Sequence, residues 1–343
     1  MIDRTRVRLA ALLLAAIGAA LPAHAYEVLV FSGLEETTQW LESEGWWGEV
    51  NRAEQLDVPR AMITGINPRW RTVSQGLPVS QKKEVFYRLM LPLIMHANQM
   101  VMDRRERLID ARAALTDGKP VSSDALVFIR EGAVLLRVLD ADKAAALNAD
   151  DPALAGVIDD MLYRLDVIPN GLALGQAAYE SGYGTSRFAA EGNALFGQWT
   201  YGGKGLVPEQ QRSNLGDHRI AAFDWPFDSV RGYFINLMSH PAYEDFRRLR
   251  AELRAEGKPL TSIALADGLI RYSERGQEYI DTLKSIIRVN GLDITDNAVF
   301  RDEPIRFLVG AQDQQAAAAL RGEIERLRSS GELDTIVARM RLE

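Results

Sequence analysis

Within the stretch Gly171 to Trp199, GLALGQAAYESGYGTSRFAAEGNALFGQW, one acid, Glu180, falls at the end of a run of small residues. Ala173, Gly175, Ala177 and Ala178 precede it, and Gly182 and Gly184 follow. The spacing predicts a slender helix, packed from several sides, that breaks just after its acid. A carboxylate there meets the negative pole of the helix dipole, and packing beside Ala173, Ala177 and Tyr183 adds desolvation. Both effects raise its pKa, as a general acid requires if it is to protonate a leaving oxygen near neutral pH. Glutamates are common near helix ends, however, and on these grounds alone a solvated surface side chain is the better reading.

Other chemistries are thinly represented. The chain has no cysteine, which removes disulfides and thiolate catalysis, and its four histidines (His24, His96, His218 and His240) are not spaced as metal pairs. No metal or other cofactor is expected. A formal net charge of -7 provides no general electrostatic footprint for nucleic acid. His96 lies among apolar neighbours and reads as structural.

The elements that must position the acid are mostly helical. Ser80 to Leu115 carries Val85, Phe86, Leu89, Leu93, Ile94 and Met100 at three- and four-residue steps, with Pro92 expected to kink or split it. Further helices are expected from Ser122 or Ser123 to Leu139, over Ala153 to Leu165, and from Asn170 through Glu180. After a brief helix capped by Thr185 or Ser186, the texture changes. Gly202, Gly203, Gly205, Pro208 and Gly216, with alternating pieces such as Arg219 to Phe223, predict a small β-hairpin lobe facing the acid. Helix resumes with Asp228 as the expected N-cap, then over Leu260 to Tyr272 and Gln277 to Val289. Gln312 to Arg328 and Gly331 to Met340 read as two more, with docking on the domain the plainest arrangement. Tyr26 to Gly76 yields a helix over Glu35 to Trp47 and turns, and no recognisable chemistry.

The first 25 residues read as an export signal. Arg4, Arg6 and Arg8 form a basic start, Leu9 to Leu21 an apolar core, and Ala23-His24-Ala25 a cleavage site before Tyr26. The apolar core is shorter than the roughly 20 residues a spanning helix needs, so a secreted or periplasmic protein without a stable membrane span is expected.

The residues around Glu180 also resemble a known family. Gln176, Ala177, Ala178, Glu180, Ser181, Gly182, Gly184, Ser186, Arg187 and Phe188, followed by Asn193, Leu195, Phe196, Gly197, Gln198 and Trp199, are similar to the glucosaminidase domain of peptidoglycan hydrolases, glycoside hydrolase family 73, in its Bax-type branch. Gly205 to Pro208, His218, Asp228 to Val230, and Tyr272 with Tyr279 extend the match, as do Pro92, Asn98 and Arg104 upstream. The resemblance covers about residues 55 to 292. It implies a mainly α, lysozyme-like fold with a small β lobe, extended here by an N-terminal helical region. It implies cleavage of the β-1,4 bond between N-acetylglucosamine and N-acetylmuramic acid, with Glu180 as general acid. Ala194 stands where many relatives have asparagine, and Thr200 and Lys204 where Bax-type relatives often have cysteines.

The second catalytic group stays open. An inverting route needs another carboxylate about 6.5–9.5 Å away, for which Glu209 is the first candidate, then Asp217 and Asp224; a substrate-assisted route uses the sugar's acetamido oxygen. Tyr272 is a candidate helper on resemblance, and its plain alternative is a core tyrosine. Tyr183, Gln198, Trp199 and Tyr201 are candidate sugar contacts, since sugars stack on aromatics and bond to amides. The expected division is 1–25 signal, 26–150 N-terminal helical region, 151–295 glucosaminidase domain and 296–343 C-terminal helical extension, the last a possible surface for a protein partner. Competing readings are a lytic transglycosylase on the same fold and a non-catalytic wall-binding or scaffolding protein.

Overall fold

The computed structural model describes residues 26–50, 56–67, 69–200, 205–207 and 219–342. The fold is mainly α with small sheets, and its spine is α2 (Val79–Thr116), which follows β1 (Tyr26–Phe31), α1 (Leu34–Ser43), β2 (Asp57–Val58) and β3 (Ala61–Ile63). Around the spine lie α3 (Ser123–Leu135), α4 (Leu154–Arg164), α5 (Asn170–Ser181) and α7 (Pro226–Ser239). Residues that α2 buries, among them Phe86, Leu91, Leu93, Ile94 and Leu108, face α4, α5, α7 and β3.

Pro92 does not split α2. A proline removes the N–H that would bond the carbonyl four residues back. That carbonyl, on Arg88, accepts instead from the Trp46 indole at 3.0 Å. The Arg88 guanidinium stacks 4.1 Å from the Trp46 ring and donates to the carbonyls of Gly48 and Glu49. The segment before the spine thus supplies the partner that Pro92 removes.

Between α5 and α7, the brief α6 (Arg187–Gly192) is capped by Ser186, whose hydroxyl accepts from Ala189 N. The β lobe then appears as expected, with β4 (Trp199–Thr200) and β5 (Gly205–Leu206) both antiparallel to β6 (Arg219–Ala221). Asp228 is not the N-cap of α7. It lies inside the first turn and accepts from Trp225 N at 3.2 Å. After α8 (Glu244–Ala255), the helix expected over Leu260 to Tyr272 shrinks to α9 (Ser262–Ala266) and a 3-10 turn at Asp267–Leu269. Gly268 packs there so closely on Phe246 that a β-carbon would sit 2.5 Å from its Cα. Helix α10 (Gln277–Val289) matches its expected range.

The region from Tyr26 to Gly76 holds what the sequence reading misses. β1 and β3 flank β8 (Ile305–Gly310) in an all-parallel sheet, Tyr26 opposite Ile305 and Ala61 opposite Arg306, and β2 pairs with β7 (Val299–Phe300). Helices α11 (Gln314–Ser330) and α12 (Glu332–Leu342) close the chain, and Tyr26 donates to Asp334 at 2.6 Å. The chain's last elements therefore dock on its first strand.

Candidate active site

Helix α5 buries every residue from Asn170 to Ala178. Its glycines are required by close approach: a β-carbon on Gly171 would lie 2.3 Å from the Leu292 carbonyl oxygen, and one on Gly175 3.1 Å from Leu283 and Ile287. Asp296 fixes its start, accepting from Gly171 N at 3.0 Å and from Ser262 N and Oγ. At its end Gly182, Tyr183 and Gly184 all take positive φ, of 58°, 59° and 75°. Tyr183 is held in this unfavourable conformation because its carbonyl accepts from Trp70 Nε1 at 2.9 Å and its ring packs edge-on against Phe86 and Tyr87. The acid thus sits on a helix fixed at both ends.

Glu180 is half-buried. Burial pushes its carboxyl above the usual range, and a hydrogen bond from Tyr279, 3.0 Å from Oε1, pulls it partly back. Its other oxygen points toward Gly197, where a β-carbon would lie 3.9 Å from Oε2. Tyrosines gather around the acid. Tyr272 stacks on Tyr279 with centroids 5.5 Å apart, Tyr179 meets Tyr279 edge-on, and Tyr233 stacks on Phe196 at 4.0 Å. The Tyr272 hydroxyl donates to the Phe196 carbonyl at 3.2 Å, holding the loop that carries Gly197. The phenols of Tyr233, Tyr272 and Tyr279 are all raised, chiefly by burial, with the Glu180 charge adding to it.

Gln198, Trp199 and the lobe follow this loop. The Gln198 amide is clamped on α7, donating to Ser229 O at 3.0 Å and accepting from Ser229 Oγ at 3.1 Å, and Gly232 leaves room for it. The Trp199 ring is 50% exposed. Asn193, in the left-handed region with φ 51°, ties the lobe to the body: it accepts from Ile66 N and donates to the Phe223 and Asp224 carbonyls. Glu209, Tyr201, Asp217 and His218 lie outside the described residues. Among the described residues, burial and Tyr279 are what move Glu180, and no group of three His, Asp or Glu could hold a metal ion.

The structure therefore brings Glu180, Tyr272 and the Gln198–Trp199 strand to one place, and turns Tyr183 toward Phe86 and Tyr87 on α2. Sequence reasoning put Tyr233 only on the apolar face of its helix and gave Gln176 and Tyr279 no role beyond motif matches. One signal was available, since Gln176 lies four residues before Glu180, on the same helix face. A cavity of about 370 Å³ lies elsewhere, at the carboxyl ends of β1, β3 and β8, lined by Phe31, Ile63, Trp70, Phe86 and Leu308, and touched by Gly184.

Residues 157–292 match the Glucosaminidase family model, described as mannosyl-glycoprotein endo-beta-N-acetylglucosaminidase. The chain is 35% identical over 130 residues to Protein bax of Escherichia coli (strain K12), which covers 38% of this chain and 46% of that protein. The chain thus spans just under half of that relative's length. No solved structure matches. The family likeness starts within α4 and ends before β7, so it takes in Glu180, Tyr233, Tyr272 and Tyr279 and leaves the parallel sheet outside.

Proposed function

We propose that this chain is an exported peptidoglycan hydrolase, an endo-β-N-acetylglucosaminidase that cleaves the β-1,4 bond between N-acetylglucosamine and N-acetylmuramic acid. The observation that carries this reading is a half-buried carboxyl, raised by burial and ringed by tyrosines, inside the segment that matches the glucosaminidase family. In this reading Glu180 is protonated when substrate binds. It gives its proton to the glycosidic oxygen as the bond to the anomeric carbon breaks, the aglycone leaves as an alcohol, and water completes the oxocarbenium-like centre. Glu209 is our first choice for activating that water. The Tyr272 hydroxyl spends its proton on Phe196 O, leaving its oxygen to accept a substrate N–H. Exposed Trp199 offers a stacking face to a sugar, Tyr201 is our second candidate for that contact, and Gln198 holds the Trp199 strand in place. Tyr183 contributes by fixing the turn beneath the acid. The basic and apolar pattern of residues 1–25 supports export to the wall.

The test is digestion of purified peptidoglycan by the mature protein and by Glu180→Gln, followed by borohydride reduction and mass spectrometry. Reducible N-acetylglucosamine ends are expected, with the variant slower by about 10³-fold, within the usual range for loss of a general acid. Anhydro-muramic ends would instead identify a transglycosylase. Release no greater than the variant's would identify a non-catalytic wall protein.

A further inference from the structure

Behind Glu180 runs a chain of fully or almost fully buried groups. Tyr233 donates its hydroxyl proton to Gln176 Oε1 at 2.5 Å, Gln176 donates from Nε2 to the Tyr279 oxygen at 2.9 Å, and Tyr279 donates to Glu180 Oε1 at 3.0 Å. Gln176 and Tyr233 are 0% exposed and Tyr279 is 1% exposed. The direction of such a chain is set by its amide, which has one donating end and one accepting end. With its N–H turned to Tyr279, the Tyr279 oxygen already receives a hydrogen, so its own single hydrogen must go forward to the acid. Glu180 Oε1 is then an acceptor, and when the carboxyl is protonated its hydrogen belongs on Oε2. That oxygen faces Gly197, which is exposed.

We propose that Gln176 is a positioning residue that fixes the direction of this chain, so that the acidic proton is carried on Oε2 of Glu180 and delivered from there. The opposite amide orientation would put a carbonyl against Tyr279 and take its hydrogen. A protonated Glu180 would then donate backwards from Oε1 into the protein. The inference rests on the reading of Glu180 as a general acid, and it adds which oxygen acts and what selects it. The titratable groups facing Glu180 are Tyr279 and Tyr272 around the start of α10, Tyr233 on α7 and Tyr243 just after it, all with phenols raised and therefore neutral. On α5 itself, Tyr179 accepts from the Arg275 guanidinium.

Single and double variants, with a titration of labelled protein, test it. Gln176→Met keeps the side chain's bulk and removes both of its hydrogen bonds, so the Tyr279 oxygen becomes free to capture the proton from Glu180 Oε1. Turnover should fall about tenfold, a modest part of what general acid catalysis contributes, with KM little changed and the alkaline limb of the pH–rate profile moved upward. Tyr279→Phe also moves the limb upward, because a donor to the carboxylate is lost. It cannot trap the proton, so turnover should fall less than in Gln176→Met. Combining the two should restore turnover to the Tyr279→Phe level, whereas additive losses would overturn the proposal and mark Gln176 as a packing residue. Tyr233→Phe releases the far end of the amide without changing its bulk, and repeats the comparison should Gln176→Met fail to fold. Protein labelled with 13C at glutamate side-chain carboxyl carbons, with the Glu180 signal assigned by its loss in Glu180→Gln, gives a reading that needs no turnover. The Glu180 titration should move to higher pH in both Gln176→Met and Tyr279→Phe. Variants that show this pattern beside a wild type that releases no glycan sink the glucosaminidase reading alone. Active wild type with an unmoved titration in both variants sinks the proton chain alone.

Discussion

At the scale of single residues, an acid whose carboxyl is raised by burial works against stability whenever it is ionised. The folded state binds its proton more tightly than the unfolded state does, so the stability Glu180 contributes is present below the ordinary carboxylate range and is lost as pH rises through its raised folded value. Glu180→Gln removes the charge and keeps the shape. The variant is expected to be about 10³-fold slower and yet to melt higher than wild type at neutral pH, with the gain shrinking as pH falls. A gain of 1 kcal/mol would appear as about 2 °C in Tm for a chain of this size, measured by calorimetry across the pH series. A variant that melts lower at neutral pH would mean that Glu180 is held by more than the Tyr279 hydrogen bond. The rise in stability on losing the acid is the usual relation between a strained functional group and the fold that carries it.

At the scale of elements, the site depends on how closely α5 is surrounded. Gly171→Ala would place a methyl group 2.3 Å from Leu292 O, a backbone atom that cannot swing away. A loss of about 3 kcal/mol or more is expected by denaturant titration, at the upper end for overpacking; an alanine variant as stable as wild type would show that the Leu292 turn yields. Helix α2 offers a second test. Trp46→Phe keeps an aromatic ring but deprives the carbonyl freed by Pro92 of its donor, a buried loss of about 2 kcal/mol. These helices were legible because apolar residues recur at helical steps over long windows, and α5 because small residues crowd before its acid. β2, β3 and β7 were not, since two- or three-residue strands show no alternation and take their meaning from partners far along the chain. Local spacing drew attention to the acid and the family resemblance singled it out, while its supports stayed hidden. Gln176 meets Tyr279 and Tyr233 across 103 and 57 positions, and no local pattern announces such a pairing. The raised carboxyl was expected from the helix end and from desolvation, and burial is its main cause.

At the scale of the whole molecule, the parallel sheet ties the two ends of the chain together outside the segment that matches the glucosaminidase family. β8 puts Phe307 and Leu308 into the core and lies between β1 and β3, so a chain ending at Ala298 would leave both outer strands without their shared neighbour. Such a truncation is expected to recover mainly in the insoluble fraction, with any soluble remainder melting well below the full chain; equal solubility and Tm would show that the helical body stands without the sheet. The same sheet dictates an order of events in time. Tyr26 cannot meet Ile305 until the chain has been made at least as far as Ile305. Closing so long a loop costs little more free energy than closing a moderate one, because the cost grows only as the logarithm of length. It delays the pairing nonetheless, since contacts this far apart in sequence form slowly. β1 is thus among the last strands to be satisfied, and it waits with its edges open while the helices gather. If the chain is exported, as proposed above, and crosses unfolded, completion of the fold would coincide with arrival rather than precede it.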